Sequence, residues 1–286
     1  MGRTIRILVP LLLAALPGVA AAQTVLLLPS AAWQRESDGN RCRISRVFGE
    51  GDARHILMLD RMAPGDRVHV TLAGPAITDF TDETRAELDL ADAAPPVRVI
   101  PLLGEVDGFG AGLKLSGIDL ARGGAEASDA EEVVTLAQRG QRLRLQTGAL
   151  GEVVAALDDC ARGLAASWGL DVARFGDVTS GPRLLNGAAV RRGIGNSFAE
   201  HWRWYSHTDG IAHVRVIVNE AGQPEDCTVV YGTTGAAPND RACRIMRKAR
   251  FAPALDDEGK PVRAAYTASF KDRRRNALTL GTGPTD

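Results

Sequence analysis

The segment from Ile211 to Phe270 leaves the fewest options for how this chain can fold. Ala212, Val214, Val216 and Val218 alternate with Ile211, His213, Arg215 and Ile217, a period of two that a β-strand sorts onto two faces. Asn219-Glu220-Ala221-Gly222 is a turn, and Pro224 to Tyr231 returns as a second strand. Asn239 is an N-cap candidate for a helix over Asp240 to Arg250, whose narrow apolar face is Ala242, Ile245, Met246 and Ala249. Arg241, Arg244, Arg247 and Lys248 then face water. Asp256-Asp257-Glu258-Gly259 leads into a last strand, Val262 to Phe270. The expected unit is a ββαβ module over residues 210–270, with the helix across a three-stranded antiparallel sheet.

The four cysteines are Cys42, Cys160, Cys227 and Cys243. All follow an N-terminal pattern of Arg3 and Arg6, an apolar run from Ile7 to Leu16, and Ala20-Ala21-Ala22, which reads as a secretory signal peptide over residues 1–22. Pro10 and Pro17 interrupt that segment, and its run is short of the ~18 to 20 apolar residues a membrane span needs. The expectation is export to the periplasm with no stable membrane span after cleavage; an uncleaved anchor is the alternative. Four cysteines in an oxidising compartment argue for two disulfides, with three pairings open. A bond from Cys227 to Cys243 would join the module's sheet to its helix. No CxxC occurs, and His55, His69, His201, His207 and His213 form no helical i, i+4 pair, so neither metal nor redox chemistry is indicated.

Ahead of the module, residues 23–170 read as an exported β-rich α+β domain. Arg41–Phe48, Arg54–Asp60 and Arg67–Ala73 are separated by turn sequences and form an antiparallel meander. In the third run Val68, Val70 and Leu72 share one face, which puts His69 on the solvent side. Thr81 to Ala91 is acidic and reads as a short surface helix, Val97 to Leu103 as a β-like run, and the glycine-rich stretch Gly104 to Gly117 as a flexible loop without a dinucleotide fingerprint. Asp129 to Arg139 is expected as a helix and Gln141 to Gln146 as a strand. Leu150 to Trp168 is an amphipathic helix with the stripe Leu150, Val153, Leu157, Cys160, Leu164 and Trp168, and Gly169 stops it. Cys160 on a buried stripe can reach the first core strand, which suggests a bond to Cys42.

Residues 171–209 lack a sustained period and read as an inter-domain connection, on which Trp202, Trp204 and Tyr205 pack or bind. Residues 271–286, with Arg273-Arg274-Arg275, read as a flexible solvated tail. With 34 basic and 35 acidic residues the net charge of −1 gives no field for nucleic acid. No GxSxG, HExxH or phosphate loop occurs, so no catalytic residue and no cofactor is assigned, and an enzyme is not expected; chemistry housed in the N-terminal domain is the weaker alternative.

The module resembles the C-terminal domain of the TonB energy transducers. The resemblance rests on Ala221-Gly222-Gln223-Pro224, Asp226-Cys227, Cys243-Arg244, Ala249-Arg250-Phe251-Ala252-Pro253-Ala254 and Gly259-Lys260-Pro261-Val262. Cys42 to Gly49 and Ser167 to Asp171 are similar to segments of exported bacterial proteins that end in such a domain and carry no known activity. The resemblance implies an envelope protein-binding module associated with outer-membrane transport. Its edge strand, Ala264, Ala265, Tyr266, Thr267, Ala268, Ser269 and Phe270, would pair with an extended segment of an outer-membrane receptor, with main-chain hydrogen bonds supplying affinity. Members that transduce energy have an uncleaved membrane helix and a proline-rich spacer. Here the 14 prolines are scattered and a folded domain stands in the spacer's place, which puts direct force transmission in doubt.

Overall fold

The computed structural model describes residues 24–64, 67–90, 96–119, 133–173, 178–205, 210–232, 236–273 and 276–280, with backbone alone at 119, 178–180, 199–205, 210 and from 271 on. The leader expected at 1–22 and the side chains of Trp202, Trp204 and Tyr205 lie outside the described residues. The architecture is α+β with mostly antiparallel sheets.

The N-terminal part contains β1 (Thr24–Leu27), β2 (Gln34–Ser37), β3 (Cys42–Phe48), β4 (His55–Arg61), β5 (Arg67–Ala73), β6 (Ala86–Asp89), β7 (Val97–Val99), β8 (Leu102–Val106), β9 (Gly110–Asp119), β10 (Val133–Gln138), β11 (Gln141–Gln146) and helix α1 (Leu150–Ser167). A six-stranded sheet runs β2-β3-β4-β5-β9-β8 and a five-stranded sheet β1-β11-β10-β6-β7. Alternation supplies each with an apolar face: Ile44, Leu57, Leu59, Val70 and Leu113 from the first meet Leu88, Val134, Leu136, Leu143 and Leu145 from the second, with Leu150, Val153 and Leu157 of α1 in the same core. The Cys42–Cys160 disulfide, with Cα atoms 5.9 Å apart, ties α1 to β3, and Arg61 of β4 adds an ion pair to Asp158 on the same helix.

Three expectations fail here. Residues 133–138 are a strand, not part of a helix: Val134, Leu136 and Gln138 are buried at period two, and the β-branched Val133-Val134-Thr135 suits the pleat. Arg139 and Gly140 both have positive φ, 51° and 87°, the pair a tight two-residue hairpin turn to β11 requires. The acidic segment at 81–91 holds β6 rather than a helix, because Ala86 and Leu88 alternate into the core. The glycine-rich stretch is not a loop but the β8–β9 hairpin, in which Leu113, Leu115 and Ile118 outweigh the low strand propensity of its glycines.

The C-terminal part contains β12 (Val178–Ser180), β13 (Arg183–Leu184), α2 (Gly187–Tyr205), β14 (Gly210–Val218), β15 (Pro224–Gly232), α3 (Ala236–Met246), β16 (Phe251–Ala252), β17 (Ala254–Asp256), β18 (Pro261–Val262), β19 (Ala264–Arg273) and β20 (Asn276–Leu280). Its main sheet is β15-β14-β19-β20. The segment expected as a connection, 171–209, instead contributes α2. Val190, Ile194 and Phe198 stand at i, i+4 and i+8 and are buried against Val214, Val216, Phe270 and α3. Gly193 permits this approach, since a Cβ there would sit 3.3 Å from Ile245. Three apolar positions among Gly187, Gly193 and Gly195 are too sparse to stand out as a period. Helix α3 begins at Ala236, so Asn239 lies inside it rather than at its cap. The tail expected to be free supplies β20, antiparallel to β19. The Cys227–Cys243 disulfide joins β15 to α3 across 5.5 Å between Cα atoms.

Candidate protein-binding site

Both faces of the C-terminal sheet are covered. Ala212, Val214, Val216 and Val218 of β14 and Tyr266, Ala268 and Phe270 of β19 pack under α2 and α3. The opposite face, with Ile211, His213, Arg215 and Ile217, meets the six-stranded sheet and the end of α1. Trp168, just past α1, packs with Ile217 and Ala265, and the Arg215 guanidinium lies 3.7 Å from the centre of its ring. Arg215 also donates to Asn40 at 3.3 Å. Arg263 donates to the Gly169 carbonyl at 2.8 Å and to Glu225 at 2.6 Å.

The middle of this seam is ionic. Asp60 has no exposed surface and accepts a forked pair from Arg43 at 2.7 and 3.1 Å. Lys114 Nζ lies 3.8 Å from Asp60 and 4.2 Å from the centre of the Tyr231 ring on β15. Burial pushes the Lys114 ammonium down to about 8 against the pull of Asp60. Burial alone would raise the Asp60 carboxyl, but the Arg43 fork and Lys114 outweigh it and hold it below its usual range. Burial raises the Tyr231 phenol. His213 Nδ1 is 2.5 Å from Ser269 Oγ, its cross-strand partner, and its ring is 4.1 Å from that of His69. His69 therefore takes the face its alternation indicates but meets the other part of the protein instead of solvent.

With the faces closed, the sheet can be reached by a partner only along its edges. The strand expected as the open edge is closed over part of its length: β20 pairs with Phe270, Lys271 and Arg273. Of the seven expected residues, Phe270 is thus an interior ladder position. Ala264, Ala265, Tyr266, Thr267, Ala268 and Ser269 have a ladder partner on the β14 side alone among the described residues. Their side chains are mostly packed inward, with Ala265 and Thr267 half-exposed. The physical reason for the correction is that Ala277, Leu278 and Leu280 extend the β pattern past the arginines, which a reading of those arginines as solvated tail passes over.

The seam residues Arg43, Asp60, Lys114, His213 and Arg215 were not foreseen as a group. One compositional signal existed: the second face of β3, β4 and β5 carries Ser45, Met58, His69 and Thr71, where a water-facing strand would carry more lysine and glutamate.

A helix-backed antiparallel sheet with covered faces leaves its edges as the places where a partner's backbone can pair. Residues 205–271 match the family model of the Gram-negative bacterial TonB protein C-terminal domain. This part of the chain is accordingly a TonB-like protein-interaction module of the cell envelope. No curated protein and no solved structure matches the chain. No helix among the described residues is long and apolar enough to cross a membrane.

Proposed function

We propose that this is a periplasmic binding protein of an outer-membrane transport system, exported by the leader at 1–22. Its TonB-like module would take up an extended segment of an outer-membrane receptor by strand addition along Ala264 to Ser269. The observation that carries this reading is the family match at 205–271 together with the single ladder partner of that stretch. The docked N-terminal part and the absence of a proline-rich spacer favour a binding role over force transmission.

The test is site-specific photocrosslinking in cells at Thr267, with exposed Glu105 on β8 as control. The expected product joins Thr267 to an extended periplasmic segment of a receptor, identified by mass spectrometry. Capture at Glu105 with none at Thr267 sinks the reading. N-terminal sequencing of the protein from the periplasmic fraction should begin near Gln23.

A further inference from the structure

The opposite edge of the sheet, β15, has its ladder partner β14 on one side and none on the other among the described residues. Register shifts leave Asp226–Val229 as its regular stretch, opposite Ile217–Val214. Beside it, between β15 and α3, runs an open groove of about 680 Å³ lined by Cys227, Val229, Asn239, Asp240, Arg244 and Arg247. The disulfide from Cys227 to Cys243 fixes the two walls of that groove to each other.

The lining carries a net positive charge, two arginines against one aspartate, and Lys248 and Arg250 follow just beyond it on the chain. Arg244, Arg247, Lys248 and Arg250 are all exposed, and among the described residues none of them has a carboxylate partner; Asp240 is the one acidic residue of the lining. Arg247 Nη2 donates to the backbone carbonyl of Cys227 at 3.4 Å, so an edge acceptor is held by a side chain that a carboxylate would draw away. Of the acids of β15, Glu225 is held by Arg263, and Asp226, exposed beside Cys227, alternates onto the face opposite Cys227 and Val229. A lysine or arginine on an edge strand protects it from neighbours of the same kind. Here the cations stand on the helix above the edge, where they repel a second copy of this chain and attract an acidic one.

We propose that β15 is a second docking edge, which adds an extended acidic segment of a partner protein. Its backbone pairs with Cys227 to Val229, and alternate carboxylates reach Arg244 and Arg247. This edge is separate from Ala264–Ser269, and the two can fail independently.

The test uses the full chain and fluorescence anisotropy with a labelled nine-residue peptide alternating valine and glutamate. Peptides with glutamine or lysine in place of glutamate are the comparisons. The glutamate peptide should bind about tenfold or more tightly than the glutamine one, with the lysine peptide weakest, because strand addition alone is charge-blind. Arg244→Glu with Arg247→Glu should weaken the glutamate peptide about tenfold or more, while leaving the far-ultraviolet circular dichroism and the Thr267 crosslink unchanged. Val229→Pro removes a backbone donor two residues from the outward Cys227 carbonyl and should also weaken it, which separates strand addition from loose adhesion to arginine. Equal binding of the glutamate and glutamine peptides, or indifference to the charge reversal, overturns the proposal. So does a dimer in sedimentation that Val229→Pro dissolves, since the occupant would then be a second copy.

Discussion

The core of the C-terminal sheet and the seam on its other face are built from the same strands, yet they are opposite materials. Toward α2 and α3 the strands present Val214, Val216, Ala268 and Phe270, and a disulfide locks the helix down. Toward the N-terminal part they present His213, Arg215 and Tyr231, which meet His69, Trp168 with Asn40, and Lys114 in turn. Apolar contact is nondirectional and tolerates repacking, whereas buried charges demand particular partners. The first face thus makes the module fold, and the second fixes how the module sits on its neighbour. A seam that would be a free surface in an isolated module is here occupied, which confines partners to the edges.

If the two parts fold on separate cores, lesions in each should be felt separately. Replacing Cys42 and Cys160 by serine opens a loop with a sequence separation of 118 residues. The expected loss is about 4.7 kcal/mol on the chain-entropy scale, seen in the N-terminal denaturant transition. Phe198→Ala, at a fully buried position of α2, should cost about 4 kcal/mol and move the C-terminal transition. Urea unfolding followed by domain-specific amide signals distinguishes the two; equal shifts of both transitions in both variants would show one core, not two.

The same contrast explains what was legible. Period-two alternation reports a strand with one apolar face, so β3, β5, β14 and α1 could be read directly, as could the positions of Cys160 and Cys243 near buried faces. It cannot tell whether the polar face meets water or another protein surface. His69 therefore reads as solvent-side, and only the tertiary arrangement of the two sheets brings it against His213. α2 was hidden for a different reason: it needs three buried side chains because α3 and the sheet already enclose it, and its glycines imitate a connection. β20 was masked by the three arginines before it.

Arg215→Ala tests the seam without touching either core. It deletes the guanidinium stacked on Trp168 and its bond to Asn40 at a position only 5% exposed. A loss of about 2 kcal/mol is expected, with faster limited proteolysis between Leu170 and Arg183 and a shift of tryptophan emission to longer wavelength. Unchanged proteolysis would mean that apolar contacts of Ile217 and Ala265 hold the parts together and the charges are incidental.

Lys114 gives the smallest effect and the one with a pH signature. Its folded ammonium titrates at about 8 against an ordinary 10.5. Below 8 the folded and unfolded chains both keep the proton, and the buried charge is a penalty. Between 8 and 10.5 the unfolded chain keeps a proton that the folded chain has released, so stability rises with pH across that window. From pH 7 to 9 this group should add about 1.4 kcal/mol, one decade of linkage, to the unfolding free energy. Lys114→Met should lack that rise while Asp60 stays paired with Arg43. Parallel pH profiles for the two proteins would move the titration to another group and leave Lys114 as packing against Tyr231. A rise confined to the wild type would identify the seam, rather than either apolar core, as the part of this molecule whose stability answers to pH.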